Sequence, residues 1–400
     1  MPLNMKRKSD VCVIGGGPSG LRAAALLAES GFHVRVLERK PRVGANITCT
    51  GIVGKHVFDA YTLDRRSILG ELQDVRLVSP RGTSLTYHHP SPFAYVVDRE
   101  RFDRFLAGEA LAKGVDIQLK TRVEDIRVEE NGVSLRAQIA TGEKLDYSAG
   151  IAVIASGNDF SLHRRLGLGH PKDFLVGGQA EMEIPGETVT TIFVGRGVAP
   201  GAFAWAVPAE AGKVRVGMLT RQDPRPFLLN LIEKAYPGKG ECQDSGRIKV
   251  KAIAQGLLSR TFGDRILTLG EAAGQVKTTT GGGIYYGLLC AGIAADVIKN
   301  AFREGSFSSA SLAGYEKKWK GAIQKEIVLG HWARRMGARL TDSQMEKIFY
   351  LAQTDGIIPI IREKGDFDWH SDLVLALLRR VSFLRFFKEP PEDSWMENAS

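Results

Sequence analysis

Three groups of residues carry types and spacings suited to chemistry. Gly15-Gly16-Gly17-Pro18-Ser19-Gly20 is a G-x-G-x-x-G set between an apolar run and an Ala/Leu-rich one. Without β-carbons such a turn closes tightly and lets a pyrophosphate approach the backbone, where the N–H groups and dipole of the following helix hold the anion. Glu38 stands eighteen residues past Gly20, at the end of the next apolar run, placed to accept hydrogen bonds from a ribose 2′-hydroxyl. An acid there disfavours a 2′-phosphate, so the expected cofactor is FAD or NAD and not NADP. The second group lies in LTLGEAAGQVKTTTGGGIYYG, residues 267–287. A strand ending in Gly270-Glu271 and followed by a helix can meet the ribityl and flavin end of FAD. The backbone of Gly281, Gly282 and Gly283, leading into Ile284, can approach a flat ring and aim N–H groups at its N1 and O2 edge. Those dipoles would stabilise an anionic reduced ring, which makes Gly281 and Gly282 candidates for catalysis as well as for cofactor contact. The third is Cys49 in ITCTGIV, a thiol in a glycine-flanked loop: either a general acid or an ordinarily buried small residue.

These groups need elements to hold them. DVCVIGGGPSGLRAAALLAESGFHVRVLE reads as strand, glycine turn, helix and second strand ending at Glu38, one complete βαβ unit. Strand-like stretches follow in LQDVRLVSP, TSLTYHH and FAYVVD, and RERFDRFLAGEALAKG is a helical pattern ended by Gly114. VDIQLKTRVEDIRVEENGVSLRAQIATG and KLDYSAGIAVIASG predict a β-meander returning to a buried strand. From about Phe174 to Leu258, alternating patterns such as EMEIPGETVTTIFVG and FAWAVPAEAGKVRVGML predict an antiparallel sheet, assigned mainly to substrate binding. DRILTLGEAAGQ resumes the strand, loop and helix grammar. The expected fold is therefore α/β: a Rossmann-like dinucleotide-binding domain over residues 1–75, 96–165 and 255–300, an inserted antiparallel-sheet substrate domain over 76–95 and 166–254, and a helical C-terminal region over 301–400.

With 400 residues, 44% hydrophobic and 25% charged, the chain has ordinary globular composition, which excludes disorder as a whole. It contains no uninterrupted apolar run of the ~18 residues that a membrane span requires. The start, MPLNMKRKSD, does not fit a signal peptide, so the expected compartment is the cytoplasm. Cys12, Cys49, Cys242 and Cys290 are scattered, with no CxxC pair and no His cluster, so neither a disulfide framework nor a metal site is expected. Net charge is +9 with a pI near 9.3. That favours anionic membrane surfaces, nucleic acid or polyanionic cofactors, although most such charge is simply a solvated surface; no nucleic-acid partner is expected. The stretch LVLALLRRVSFLRFFK is apolar and basic. It either contacts the inner face of the membrane peripherally, roofs a hydrophobic pocket or docks as an amphipathic helix.

Taken together, GGGPSG, Glu38, VVDRERFDRFLAGEA and GEAAGQVKTTTGGGIYYGLL resemble the geranylgeranyl reductase family of flavoproteins, related in fold to the flavin hydroxylases. The resemblance runs from roughly Asp10 to Lys299, with Lys277 to Leu288 its most distinctive piece. It implies FAD as cofactor and a nucleotide domain of the glutathione reductase and flavin hydroxylase type. It also implies that Arg99, otherwise a solvated charge at a helix start, contacts the flavin nucleotide, and that Gly270-Glu271 holds the ribityl chain where the family has Gly-Asp. Arg39, Gly51, Val123 and Gly157 join the cofactor-facing set. Cys49-Thr50-Gly51 matches the family's Cys-x-Gly near flavin and substrate. PGAFAWAVP, residues 200–208, is similar to the family's aromatic-x-Trp-x-Phe-Pro signature, with Phe203 where Tyr is usual and Val207 where Phe is usual. The substrate-facing expectations are Phe203, Trp205, Pro208 and Tyr285.

The implied activity is FAD-dependent hydrogenation of isoprenoid, geranylgeranyl-type double bonds, by hydride from flavin N5 plus a proton, on a prenyl lipid or prenyl diphosphate. Two alternatives stand beside it: a flavin monooxygenase or halogenase, and an electron-transfer flavoprotein feeding quinone. TTTGGGIYYG lacks the proline-rich Gly-x-Asn-x-Gly character of hydroxylases at that point. No second glycine fingerprint of comparable quality is present, so the external electron donor, ferredoxin or NAD(P)H, stays open.

Overall fold

The computed structural model describes residues 7–210, 212–238, 247–354 and 357–379. The chain divides into two compact units. The first comprises residues up to Leu69, Val97–Phe174 and Ala252–Val328; the second comprises Gly70–Val96, Leu175–Lys251 and Leu329 onward. The helical stretch after residue 301 thus contributes to both, changing unit within the helix Ser309–Gly337.

The first unit is built on the strand Lys8–Ile14, whose run Val11, Cys12, Val13, Ile14 is buried throughout. A near-continuous apolar run is what a parallel strand covered on both faces requires. It pairs in parallel with Val34–Leu37 on one edge and with Lys144–Ile154 on the other, in the registers Val13↔Val36 and Val13↔Val153. Asp116–Gln118 extends the sheet beyond Val34–Leu37, and Ile266–Thr268 extends it beyond Lys144–Ile154, both in parallel. Arg122–Glu129, Gly132–Gln138 and Lys144–Ile154 form the antiparallel meander. The helix Pro18–Glu29 begins with Pro18, whose fixed φ suits a first turn. It buries Leu21, Ala23, Ala24, Ala25 and Leu27, small side chains that let it pack closely on the helix Ile284–Glu304.

The second unit is built on a seven-stranded sheet in the order Lys249–Gln255, Asp173–Glu183, Lys213–Thr220, Ala204–Pro208, Thr190–Phe193, Asp74–Val78, Ser84–His88. The sheet is mixed: Thr190–Phe193 pairs in parallel with Asp74–Val78. The helix Pro224–Ala235 starts at Asp223, whose carboxylate accepts from the Arg225 N–H at 3.1 Å. It buries Leu228, Leu231 and Ile232 in a core with Ala180, Met182, Val214 and Val216. Within this unit Arg196 donates to the carbonyls of Leu340 at 2.8 Å and Arg339 at 2.6 Å, which ties the sheet to the C-terminal helices. The helix Ser371–Leu378 begins the apolar, basic stretch read from the sequence; residues 380–388 of that stretch lie outside the described residues.

Candidate active site

The first glycine turn is shaped by what a side chain would strike. Gly15 has φ +109°, and a β-carbon there would stand 2.3 Å from the Ala155 carbonyl oxygen. One at Gly20 would meet the Gly15 carbonyl at the same 2.3 Å. Gly17 differs: nothing lies within 4 Å of its β-carbon position, and no side chain caps the helix that Pro18 begins after it. Space and free helix N–H groups coincide there, as a pyrophosphate needs. Glu38, only 8% exposed, accepts the Gly16 N–H on Oε2 at 2.6 Å and the Lys40 N–H on Oε1 at 2.8 Å. Each carboxylate oxygen retains lone-pair capacity for a ribose hydroxyl. Burial lowers the Lys40 ammonium's pKa against the pull of Glu38, and its Nζ donates to the Ala45 carbonyl at 2.7 Å. Arg39 pairs with Asp159 at 3.2 Å on the surface.

The second glycine region is held by a buried hydrogen-bond chain. Gly270, with φ +69°, donates its N–H to Gln275 Oε1 at 2.7 Å. Gln275 Nε2 donates to the Tyr315 hydroxyl at 2.8 Å, which in turn donates to the Thr268 carbonyl at 2.8 Å. Burial pushes the Tyr315 hydroxyl well above its usual range. His163, fully buried, donates from Nε2 to the Ala272 carbonyl at 2.8 Å, while its Nδ1 has no partner among the described residues. Burial lowers its pKa, against the carbonyl bond, so the imidazole is held neutral. Gly157, at φ +66°, places its β-carbon position 3.8 Å from Glu271 Oε2. The turn that follows closes through Gly281 N–H to the Lys277 carbonyl at 2.8 Å and Lys277 N–H to the Gly282 carbonyl at 2.9 Å. Gly283 then caps the helix Ile284–Glu304 with no side-chain bond, again leaving its first N–H groups free of a side-chain cap. Tyr285, in the first turn of that helix, meets the His56 ring edge-on at 4.7 Å between centroids.

The two glycine regions converge on Ser19. A β-carbon at Gly270 would stand 2.6 Å from Ser19 Oγ, and one at Gly287 would stand 2.1 Å from it. Ser19, next to the first glycine turn, thus packs closely against Gly270 and Gly287, which flank the second glycine region within the same unit.

Cys49 lies in the same unit, in the loop before the strand Ile52–Gly54. Gly51 donates its N–H to Cys49 Sγ at 3.4 Å, and the Gly51 carbonyl accepts from Val97 N–H at 2.8 Å, fastening the loop to the start of the helix Arg99–Ala112. Asp98 caps that helix, accepting from the N–H groups of Glu100 at 2.9 Å and Arg101 at 3.1 Å. Arg99 then pairs with Asp103 one turn on: Nη2 reaches Oδ1 at 3.0 Å and Oδ2 at 3.1 Å, and Nε reaches Oδ1 at 3.2 Å. The Cys49 sulfur is near enough to act on the Arg99 guanidinium as well. Although burial alone would lower it, Asp103 and the Cys49 sulfur keep the Arg99 guanidinium firmly charged. Burial pushes the Cys12 thiol up to about 12 and the Cys290 thiol higher still, which removes both as acids. Cys242 lies outside the described residues.

Of the remaining expected residues, Val123 is buried in the meander core. Phe203, Trp205 and Pro208 lie in the second unit, where the Phe203 and Trp205 rings are 5.8 Å apart. Trp205 covers Gly217, whose β-carbon position is 2.6 Å from its ring, and its buried indole N–H has no acceptor among the described residues. Four side chains at the site were absent from the sequence reading: Asp103, His163, Gln275 and Tyr315. Only Asp103 had a usable signal, its i,i+4 spacing from Arg99 in RERFD. Among the described residues no group of His, Cys, Asp or Glu is arranged to hold a metal ion.

Residues 13–64 match the model of an NAD(P)-binding Rossmann-like domain. The digeranylgeranylglycerophospholipid reductase 1 of Methanosphaera stadtmanae is 30% identical over 360 residues, covering 87% of this chain and 89% of that one. The digeranylgeranylglycerophospholipid reductase 1 of Methanococcoides burtonii is 28% identical over 363 residues, covering 86% and 87%. A geranylgeranyl bacteriochlorophyll reductase-like structure from Thermoplasma acidophilum superposes with a TM-score of 0.81 at 21% identity, covering 96% of this chain and 99% of that one, which establishes the fold. On the identity and coverage of its relatives, this chain belongs to the digeranylgeranylglycerophospholipid reductase family.

Proposed function

We propose that this chain binds FAD and hydrogenates carbon–carbon double bonds in geranylgeranyl chains of glycerophospholipids. The observation that supports the reading is the convergence on Ser19, which brings the helix start after Gly17 into one cradle with Gly270 and Gly287, the residues that flank the loop Gly281 to Gly283. The cradle fits FAD: the pyrophosphate would lie at Gly17, the adenosine ribose on Glu38, the ribityl chain by Gly157 and Glu271, and the ring edge over Gly281 and Gly282. When bound and reduced, FAD supplies hydride.

The chain's own residues supply the rest. An isolated alkene has no carbonyl to polarise, so orientation and exclusion of water carry most of the rate. Cys49 donates the proton, and the guanidinium of Arg99 faces the charge left on sulfur. The Phe203–Trp205 pair offers an aromatic surface to an apolar prenyl chain. Electrons come from an external donor, ferredoxin or NAD(P)H. The lipid is reached by peripheral contact. No helix among the described residues is long and apolar enough to cross a membrane.

The test is to purify the protein, record its visible spectrum, reduce it under argon with dithionite and add digeranylgeranylglycerol phosphate. Product mass should rise in steps of one hydrogen pair. A bound flavin with every prenyl chain returned unchanged overturns the reductase reading.

A further inference from the structure

We propose that Arg99 and Asp103 form a positioning pair for the Cys49 thiol, with Asp103 fixing the guanidinium so that its remaining N–H groups face the sulfur. The proposal rests on the assignment of Cys49 as proton donor made above. Three local restraints support it. Val97 N–H to the Gly51 carbonyl, at 2.8 Å, holds the Cys-Thr-Gly loop against the residues that start the helix Arg99–Ala112. The Asp98 cap sets where that helix begins, which makes Arg99 its first residue and places Asp103 on the same face one turn later. The pair is enclosed, with side chains 13% and 4% exposed, so the guanidinium has one orientation and not many.

Three contacts to Asp103 engage Nε and Nη2. A guanidinium has five N–H groups in a rigid fork, so donors remain for Cys49. Gly51 N–H approaches the same sulfur at 3.4 Å. Lys40 and Glu38, beside the first glycine turn, also act on Asp103 electrostatically.

In the reaction, the Cys49 S–H bond breaks and its proton forms a C–H bond at one alkene carbon. The other carbon gains hydride, so the alkene takes up two electrons that the external donor supplies by way of the reduced flavin. The thiolate left behind faces Arg99 until water returns its proton. A cation held there lowers the cost of the charged intermediate, and a loosely held one would not.

The experiment is a double-mutant cycle on single-turnover oxidation of the reduced, flavin-loaded protein by digeranylgeranylglycerol phosphate. Arg99→Met alone would strand a buried carboxylate, so the principal variant is Arg99→Met/Asp103→Asn. With Cys49 present it should be oxidised about five-fold or more slowly than the unsubstituted protein, whereas in a Cys49→Ala background the same two substitutions should leave the rate unchanged. Arg99→Lys, which keeps a cation but loses the fork, should fall between the first two, and decides the matter if the double variant does not fold. Equal slowing in both backgrounds, or none in either, overturns the proposal. Prenyl reduction by Cys49→Ala at the normal rate would instead remove the proton-donor role on which the proposal rests.

Discussion

Ser19 Oγ lies 2.1 Å from where a β-carbon at Gly287 would stand. The glycine in IYYGLL therefore sets how near the helix Ile284–Glu304 comes to the helix Pro18–Glu29, which follows the first glycine turn. Gly287→Ala should push the two apart, with overpacking costing ~1–3 kcal/mol and flavin affinity falling with it. Ser19→Ala in the same protein should restore part of both. Thermal melts and flavin titrations of the two single variants and the double check this; simple additivity would show that Ser19 is not what Gly287 accommodates.

Gly17→Val tests the other side of the turn. Nothing lies within 4 Å of that β-carbon position, so the fold has room for a side chain. A bound pyrophosphate does not. The variant should melt close to the unsubstituted protein and purify colourless. A full yellow flavin spectrum would overturn the placement of the pyrophosphate.

Cys49→Ala should leave the flavin bound, because Cys49 belongs to neither glycine region and its sulfur is approached by the Gly51 N–H and by Arg99. Loss of a general acid should slow prenyl reduction by on the order of 10²–10⁴. Single-turnover oxidation of the reduced flavin by the prenyl lipid measures this directly.

Tyr315→Phe removes one oxygen that serves two partners. Gln275 Nε2 and the Thr268 carbonyl would both lose a bond in a fully buried site, at a cost of about 1–3 kcal/mol. Since Gln275 holds the Gly270 N–H, flavin affinity should fall as well. Flavin dissociation constants for the two proteins check this, and unchanged affinity would confine Tyr315 to stability alone.

What could be read from the residues follows from distance along the chain. The glycine turn, its helix and Glu38 lie within a span of about 25 residues, where spacing alone carries the geometry. Arg99 was read as a nucleotide contact while Asp103, four residues on, went unnoticed. Gln275 with Tyr315, 40 residues apart, and His163 with Ala272, 109 apart, meet only through the folded sheet, and no local pattern announces them. The substrate unit shows the same limit. Period-two alternation predicts strands but not their direction, so the parallel pairing of Thr190–Phe193 with Asp74–Val78 was invisible. The helix Pro224–Ala235 falls in the stretch expected to be sheet, although Asp223 followed by proline is a helix-start signal.

His163 makes the site sensitive to acid. Its Nε2 proton is committed to the Ala272 carbonyl, its Nδ1 is buried without a partner among the described residues, and burial holds its pKa below the ordinary 6.5. A second proton on Nδ1 would be a buried charge with no hydrogen-bond partner among the described residues, and the field of Asp159 offsets its burial only in part. In the unfolded chain the imidazole takes up that proton near pH 6.5, whereas in the folded chain it does so only at lower pH. The contribution to stability is therefore complete above pH 6.5 and is lost as the pH falls from there toward the folded value, at up to ~1.4 kcal/mol per pH unit for one proton. Because the carbonyl that His163 holds belongs to the turn Gly270–Ala273, flavin release should follow the same pH dependence. His163→Gln can keep a donor to Ala272 without titrating. Melting temperatures from pH 7.5 down to 5 should fall more steeply for the unsubstituted protein than for the variant. Parallel curves would assign the acid sensitivity to other groups.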